Sequence, residues 1–240
     1  MHFERMADEY ATARPPYPAV LYAELSRRGV IGPGLRVLEI GAGAGLATTD
    51  LVAVGAEVTA VEPGERLAEL LTSRVPSATV LVSTLEAAVL TDHAYDAAVA
   101  ATSLHWVDLE AGLPILHRAL RPGGWLAVWR THFGDSSLRT AFRDQVDVIV
   151  GARPPAPQPA VSRDDRPTLA ELTTDGWFEH VDSMTWAWPV QLSTAQVKQL
   201  YSTFSNWTPD EVEAAVAAAD RCGGTVNERF RTVLHLLRAV

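Results

Sequence analysis

Short apolar runs alternate with segments of helical spacing over the first half of the chain. Five of these runs are rich in valine, leucine and alanine and are bounded by glycine, proline or charged residues, which predicts buried strands. The predicted strands are residues 35–40, 56–61, 78–82, 95–101 and 125–130. Regular alternation of strand and helix indicates a parallel, doubly wound α/β sheet.

Helices are predicted between these strands, where apolar side chains recur at three- and four-residue spacing. They cover residues 19–28, 46–54, 66–74, 109–120 and 135–150. Proline and two glycines at Arg121-Pro122-Gly123-Gly124 predict a tight turn between the fourth of these helices and the fifth strand.

The pattern changes after residue 150. Residues 151–167 hold five prolines, which predicts a loop, and both a lid and a plain surface excursion fit it. Strands are predicted at 177–188 and 229–237. Between them, Thr208-Pro209-Asp210-Glu211 has the residue types of a capping box with proline at the first helical position.

Three glycines at alternating positions follow the first strand. Gly41, Gly43 and Gly45 form the series G-x-G-x-G, and Glu39 stands two residues before it. A strand, a glycine turn and a helix in this order bring a nucleotide-like ligand to the carboxyl end of a parallel strand. The dinucleotide fingerprint G-x-G-x-x-G does not fit, because its third glycine would fall at Leu46.

The series Glu39-x-Gly41-x-Gly43-x-Gly45 resembles the first motif of the class I S-adenosylmethionine (SAM) methyltransferases. That resemblance implies a Rossmann-like, mostly parallel seven-stranded sheet with an antiparallel C-terminal edge strand and helices on both faces. It also implies SAM as cofactor and S-adenosylhomocysteine as product. In this interpretation the glycine turn holds the amino-acid part of the cofactor, and Glu39 fixes the turn and meets the cofactor's ammonium group.

Glu62 ends the second strand, about 20 residues after the first glycine, which suits hydrogen bonding to ribose hydroxyls. The resemblance implies further cofactor contacts from Pro63 and Leu85 on the adenine, and it places Thr84 and Thr102 beside the cofactor. Many members of the class have an aspartate where Thr84 stands, so the side chain that meets the adenine amino group is left open.

Near the N-terminus, Tyr10-x-x-x-Arg14-Pro-x-Tyr17-Pro resembles small-molecule methyltransferases of the type 11, trans-aconitate-methyltransferase-like kind. The resemblance implies that this segment lies over the cofactor pocket, with Arg14 on the cofactor carboxylate and Tyr10 and Tyr17 facing the substrate. A surface arm with a proline turn is the alternative.

A histidine and a tryptophan follow the fourth strand, where ligands bind in open α/β sheets. His105 is the candidate catalytic base, and Trp106 and His132 are candidate substrate contacts. A hydroxyl acceptor needs such a base, whereas a carboxylate acceptor does not. The alternative is that His105 caps the next helix and Trp106 packs in the core.

Composition narrows the function. The net charge of −9 argues against nonspecific or duplex nucleic-acid binding. The single cysteine, Cys222, excludes an internal disulfide and a cysteine-cluster metal site and suits a reducing cytoplasm. Neither a signal peptide nor an apolar membrane span is visible, and no zinc spacing suggests a metal. We expect a cytoplasmic monomer or homodimer that acts on a small molecule.

The length of 240 residues favours one domain. We divide it into an N-terminal cap segment (1–30), a core (31–130) and C-terminal substrate-side elements (131–240). Two other functions remain open: an NAD(P)-dependent oxidoreductase, whose ribose Glu62 would also serve, and a noncatalytic SAM-binding protein. For a methyltransferase, the acceptor atom belongs to a carboxylate, a hydroxyl or an amine.

Overall fold

A seven-stranded sheet forms the centre of the molecule. The computed structural model describes residues 13–135, 138–154, 166–204 and 206–240. The strand order is β3-β2-β1-β4-β5-β7-β6. The strands are β1 (Arg36–Ile40), β2 (Glu57–Val61), β3 (Thr79–Leu81), β4 (Tyr95–Ala101), β5 (Leu120–His132), β6 (Phe178–Ser193) and β7 (Thr225–Ala239).

Eight α-helices are present in the described residues. They are α1 (Ala19–Arg27), α2 (Leu46–Ala53), α3 (Glu65–Arg74), α4 (Leu109–Ala119), α5 (Ala141–Gly151), α6 (Leu169–Thr173), α7 (Thr194–Ser202) and α8 (Pro209–Arg221). A 3-10 turn, Leu104–Trp106, follows β4. None of the helices in these ranges is long and apolar enough to cross a membrane.

Strands β1 to β5 are parallel, and β7 runs antiparallel to both of its neighbours, β5 and β6. The predicted fold class is therefore confirmed. The C-terminal strand β7 lies one place in from the edge, and β6 occupies the edge itself. The sheet is apolar on both sides at its centre, where Ala97, Ala98, Val99 and Ala100 are fully buried.

Two hydrophobic clusters cover the two faces of the sheet. One face packs against α1 and α2, with Leu21, Leu25 and Leu51 among its buried side chains. The other face packs against α4 and α6, through residues such as Leu116 and Leu172. Helices on both faces follow from the alternation of side chains along each strand.

A third cluster lies beyond the parallel part of the sheet. It joins α5, α7 and α8 to the ends of β6 and β7, with Phe142, Leu200 and Phe230 buried inside it. Helices α7 and α8 are inserted between β6 and β7. Thr208 and Glu211 form the predicted capping box with Pro209 at the first helical position, so that prediction is confirmed.

Several helices and strands differ from their predicted lengths or starting residues. Strand β5 begins at Leu120, because Leu120 already pairs with Tyr95 while Trp125 pairs with Ala97, so the predicted turn is a bulge within the strand. Helix α5 begins at Ala141 rather than at residue 135. Strands β6 and β7 are longer than predicted because they form one antiparallel ladder with each other.

The strand order reverses beside β1, which pairs with β2 on one side and β4 on the other. Ligands of open α/β sheets bind at the carboxyl ends of the strands beside such a reversal. The fold therefore brings the residues after β1, β2 and β4 to one edge. The division of the chain at residues 30 and 130 stays a prediction.

Candidate active site

The turn after β1 has the left-handed backbone that glycine favours. The φ angles of Gly41, Gly43 and Gly45 are 64°, 58° and 84°. A Cβ on Gly41 would lie 2.6 Å from the Cβ of Ser103, which is too close for any other residue. Gly45 caps the N-terminus of α2, so the turn ends where helical N–H groups face outward.

Glu62 ties the turn to the end of β2. Its Oε2 accepts a 2.7 Å hydrogen bond from the backbone N–H of Gly43, and its Oε1 accepts one of 2.9 Å from that of Gly64. The residue is only 6% exposed. A carboxylate has about four lone-pair positions, so one carboxylate can both hold a turn and accept hydrogen bonds from hydroxyl groups of a ligand.

Glu39 lies behind the same turn and is 1% exposed. Its Oε2 accepts a 2.7 Å hydrogen bond from Thr48 Oγ1, but its Oε1 is buried without a hydrogen-bond partner among the described residues. Burial raises the pKa of Glu39 to about 8, Thr48 opposes the shift, and the nearby charge of Glu62 adds to it. An unmatched acceptor in this position suits a cationic group of a ligand.

Tyr17 and Thr102 lie together at the carboxyl end of β4. Tyr17 OH donates to the Ala101 carbonyl and to Thr102 Oγ1, both at 3.3 Å. Its ring packs edge-on against Trp129, with the centroids 5.8 Å apart. Thr102 has a φ of 57°, unusual for a β-branched residue. The N-terminal segment thus lies over the carboxyl end of β4 at Tyr17, and Tyr10 lies outside the described residues.

The remaining predicted cofactor contacts are spread around the edge. Pro63 and Thr84 are exposed, whereas Leu85 is buried in the cluster that packs on α4. Arg14 lies with its guanidinium 4.9 Å from the ring centroid of Phe133. Their proposed roles stay predictions: Pro63 and Leu85 against the adenine, Thr84 beside it and Arg14 on the carboxylate.

An open cleft of about 160 Å³ lies between the loop after β4 and the sheet face formed by β5 and β7, and no residue of the glycine turn lines it. His105, His132 and Thr102, all predicted site residues, line it together. Trp106 is 51% exposed and lies against His105, with ring centroids 4.8 Å apart. The predicted alternative of a core position for Trp106 is therefore wrong, because more than half of the side chain meets solvent.

Four cleft residues with ionisable side chains were missed from the sequence: Arg130, Arg166, Arg231 and His235. Arg130 stands near the carboxyl end of β5, a position that signals a ligand contact in parallel sheets. Arg231 and His235 alternate with buried residues of β7, but this alternation does not reveal which residues of the neighbouring strand lie beside them. Ser103 was also missed; its hydroxyl donates to the Ile40 carbonyl and fixes the loop against the turn.

Comparison with known proteins gives a family match and several relatives. Residues 38–128 match the methyltransferase domain family. Over 132 residues the chain is 36% identical to an uncharacterized methyltransferase of Mycobacterium bovis, covering 55% of this chain and 53% of that protein. Over 123 residues it is 30% identical to an uncharacterized methyltransferase of Schizosaccharomyces pombe, covering 50% of this chain and 49% of that protein. The chain spans about half the length of the curated relatives it matches.

Solved structures share the whole fold. A proposed type II methyltransferase of Anaeromyxobacter dehalogenans aligns with a TM-score of 0.68 and 22% identity, over 94% of this chain and 97% of that one. Geranyl diphosphate C-methyltransferase of Streptomyces coelicolor was solved with Mg²⁺, geranyl diphosphate and S-adenosylhomocysteine. It aligns with a TM-score of 0.53 and 16% identity, over 92% of this chain and 79% of that one. At these identities the likeness establishes a common fold and nothing further.

The buried Glu39 predicts a pH-dependent stability. Because its pKa is higher in the folded than in the unfolded protein, the folded state binds more protons between about pH 4.5 and 8, so this group costs stability as the pH rises through that window. Glu39→Gln removes the cost, and we expect it to stabilise the ligand-free protein by on the order of 4 kcal/mol at pH 8 and by about 1 kcal/mol or less near pH 5.

Thermal unfolding at several pH values measures this difference. The control is Glu57→Gln, which changes an exposed carboxylate on β2 and should leave the melting temperature nearly unchanged. A Glu39→Gln protein that is less stable than the wild type at pH 8, or whose advantage does not vary with pH, would contradict the assignment.

Proposed function

We propose that this chain, whose residues 38–128 match the methyltransferase domain family, transfers a methyl group from SAM to a small organic molecule. The observation that carries the proposal is the buried Oε1 of Glu39, an acceptor without a partner among the described residues, behind a glycine turn clamped by Glu62. An ammonium and a pair of ribose hydroxyls on one ligand match these two carboxylates.

In this proposal, different residues bind different parts of the cofactor. Gly41, Gly43 and Gly45 leave room for the amino-acid part of the cofactor against the backbone. Glu39 binds the ammonium and Glu62 the ribose hydroxyls, while Arg14 is the proposed partner of the carboxylate. When bound, SAM supplies a methyl group on a positively charged sulfur, so the protein's main task is to align the acceptor and exclude water.

An NAD(P)-dependent oxidoreductase is the weaker alternative. Glu62 would serve a nicotinamide cofactor's ribose too. However, the Glu62 carboxylate is bonded to the backbone N–H of Gly43 in the turn, and its negative charge there would repel a pyrophosphate. Leu46 is the first residue of α2, in the place of the fingerprint's third glycine. Only a measurement of turnover distinguishes the proposed enzyme from a noncatalytic SAM-binding protein.

We assign His105 the role of base for a hydroxyl or amine acceptor. It lines the cleft together with Thr102 and His132, beside the carboxyl end of β4. In an in-line displacement the acceptor's lone pair forms the bond to the methyl carbon as the carbon–sulfur bond breaks. A hydroxyl acceptor must also release its proton, and a neutral imidazole in hydrogen-bonding reach accepts it. A carboxylate acceptor needs alignment only.

Calorimetry with S-adenosylhomocysteine and NAD tests the cofactor. We expect the first to bind and the second not to bind. Gly43→Val places a branched side chain at φ 58° on the ligand side of the turn and should abolish binding. The control is Gly123→Val, at a similar φ of 68° with open space around its Cβ, which carries the same backbone strain away from the site.

Two results would count against the proposal. One is binding of NAD without binding of S-adenosylhomocysteine. The other is a Gly43→Val protein that is folded by circular dichroism and keeps its full affinity, since the turn would then not touch the ligand.

His105→Ala should lower turnover on a confirmed hydroxyl acceptor by roughly 10²-fold or more, with little change in affinity for S-adenosylhomocysteine. The wild-type rate should also fall at low pH as the base becomes protonated. Steady-state kinetics over a pH series measures both effects. His117→Ala is the control, because His117 lies away from the cleft, bonded to the Val240 carbonyl. Unchanged turnover in His105→Ala would leave alignment as the only catalytic device.

A further inference from the structure

Three side chains on the two adjacent strands β6 and β7 form a continuous hydrogen-bonded network. His235 Nδ1 lies 2.7 Å from Ser183 Oγ, which in turn lies 2.9 Å from His180 Nε2. Ser183 pairs with His235 across the ladder, and a bulge between His180 and Asp182 puts His180 on the same face as Ser183. We call these three residues, His180, Ser183 and His235, the histidine–serine network.

The histidine–serine network begins in the cleft and ends at the surface. His235 lines the cleft and is half-buried, whereas Ser183 and His180 are exposed. Because Ser183 engages Nδ1, Nε2 is the ring nitrogen of His235 that remains for a molecule in the cleft. The network thus connects a hydrogen-bonding atom of the cleft with a histidine in contact with solvent.

The hydroxyl hydrogen of Ser183 couples the two rings. When both histidines are neutral, Ser183 donates to one of them and accepts from the other. If it donates to His180, then His235 donates from Nδ1, and its Nε2 offers a lone pair to the cleft. If it donates to His235, then Nε2 carries the ring hydrogen instead. Both arrangements fit the same positions of the heavier atoms.

The other groups at the cleft favour the arrangement with the lone pair on Nε2. The ionisable side chains that line the cleft beside His235 come from β5, β7, the loop after β4 and the segment before α6: Arg130, His132, Arg231, His105 and Arg166. Glu171 pairs with Arg166. Arginine offers donors only, so a donor group of a ligand needs an acceptor such as Nε2. A lone pair facing a cation is also more stable than an N–H group in the same place.

Protonation of His180 removes this arrangement. A protonated histidine donates from both ring nitrogens, so His180 then donates to Ser183, and the serine hydrogen turns to His235 Nδ1. The cleft then receives only an N–H group from His235. Histidine is the side chain that ordinarily changes its charge between about pH 5 and 8. A proton taken up at the surface therefore reverses the hydrogen-bonding character of an atom in the cleft.

The ring of His235 stays neutral to a lower pH than that of an ordinary histidine. Burial lowers the pKa of His235, and the nearby His180 adds to the shift. Asp182 lies next to Ser183 on β6, and its carboxylate is bound to Arg28 of α1 at 2.5 Å. The change in the cleft consequently takes place between the two neutral forms of one ring, without a new charge there.

We propose that Nε2 of His235 accepts a hydrogen bond from an uncharged hydroxyl group of the methyl acceptor, and that protonation of His180 withdraws this hydrogen-bond acceptor through Ser183. The inference rests on the proposed function and adds a requirement on its substrate. His105 is assigned to the atom that receives the methyl group, so the hydroxyl at His235 is a second group of the same molecule. The network makes recognition of that group depend on pH.

Nitrogen NMR of the histidine rings tests the network in the ligand-free protein. At about pH 8 we expect the ring hydrogen of His235 on Nδ1, and we expect it to move to Nε2 as the pH is lowered toward about 5 and His180 is protonated. His180→Gln keeps a hydrogen-bonding group at that position but does not titrate, so the hydrogen should stay on Nδ1 throughout. Ser183→Ala interrupts the network and should abolish the response to His180.

The control for these spectra is Thr185→Ala. Thr185 is exposed on the same strand, where it pairs with Val233, and it lies outside the network, so the response of His235 should be that of the wild type. A ring hydrogen on Nε2 at about pH 8, or a movement of the hydrogen that persists in His180→Gln, would overturn the proposal.

Binding of matched diols and ethers tests the ligand without requiring turnover. The probes are resorcinol and hydroquinone, each compared with its monomethyl ether, which lacks one hydroxyl hydrogen, on the protein loaded with S-adenosylhomocysteine. At about pH 8 we expect at least one diol to bind roughly threefold to tenfold more tightly than its ether, which is the effect of one neutral hydrogen bond. At about pH 5 this preference should disappear, because only an N–H group then faces the cleft.

Two variants assign the preference to the network. His180→Gln should retain it at both pH values, and His235→Phe should lack it at both. His105 and His132 are unchanged in His180→Gln, so their own titration does not account for a difference between that variant and the wild type. Each variant should bind S-adenosylhomocysteine as the wild type does, which shows that it is folded.

The outcomes separate the two levels of inference. If the wild type shows no preference for either diol, or if the preference survives in His235→Phe, the role of His235 is refuted, and the methyltransferase proposal stands as long as S-adenosylhomocysteine binds. A preference that disappears at low pH in His180→Gln as well refutes the control by His180. Failure of S-adenosylhomocysteine to bind the wild type refutes the proposed function, and the NMR measurement on the ligand-free protein remains informative.

Discussion

The hydrogen bonds between the Glu62 carboxylate and the backbone of Gly43 and Gly64 hold the candidate site together. They connect the turn after β1 to the end of β2, on the side of β1 away from β4. The left-handed glycines make the turn possible, and Ser103, bonded to the Ile40 carbonyl, supports it from the β4 side. A ligand at this edge therefore meets a surface already fixed by three strands.

Two acidic side chains lie close enough to interact at the same edge of the sheet. Glu39 and Glu62 lie at the ends of β1 and β2. Burial keeps the pKa of Glu39 high, and the nearby charge of Glu62 adds to the shift. A cationic group of a bound cofactor would relieve the electrostatic cost at Glu39. This relief is the physical basis of the proposed function.

The glycine spacing, Glu39 and Glu62 could be read from the sequence because a turn and a strand end are local features. The parallel strands could be read too, since buried runs such as 95–101 have a strong signature. The arginines and histidines of β5 and β7 that line the cleft could not, because their meeting depends on the register between β5 and β7, which pairs His132 with Arg231 across a long separation in sequence. Helix α6, with five residues, is too short for helical periodicity to reveal.

A crystal structure of the complex with S-adenosylhomocysteine tests the central claim most directly. The account predicts that the ligand's ammonium lies within hydrogen-bonding distance of Glu39 Oε1 or is joined to it through one water, and that the ribose hydroxyls contact the Glu62 carboxylate while its bond from Gly43 persists. A ligand bound elsewhere, or one bound at the turn with its ribose facing away from Glu62, would contradict it.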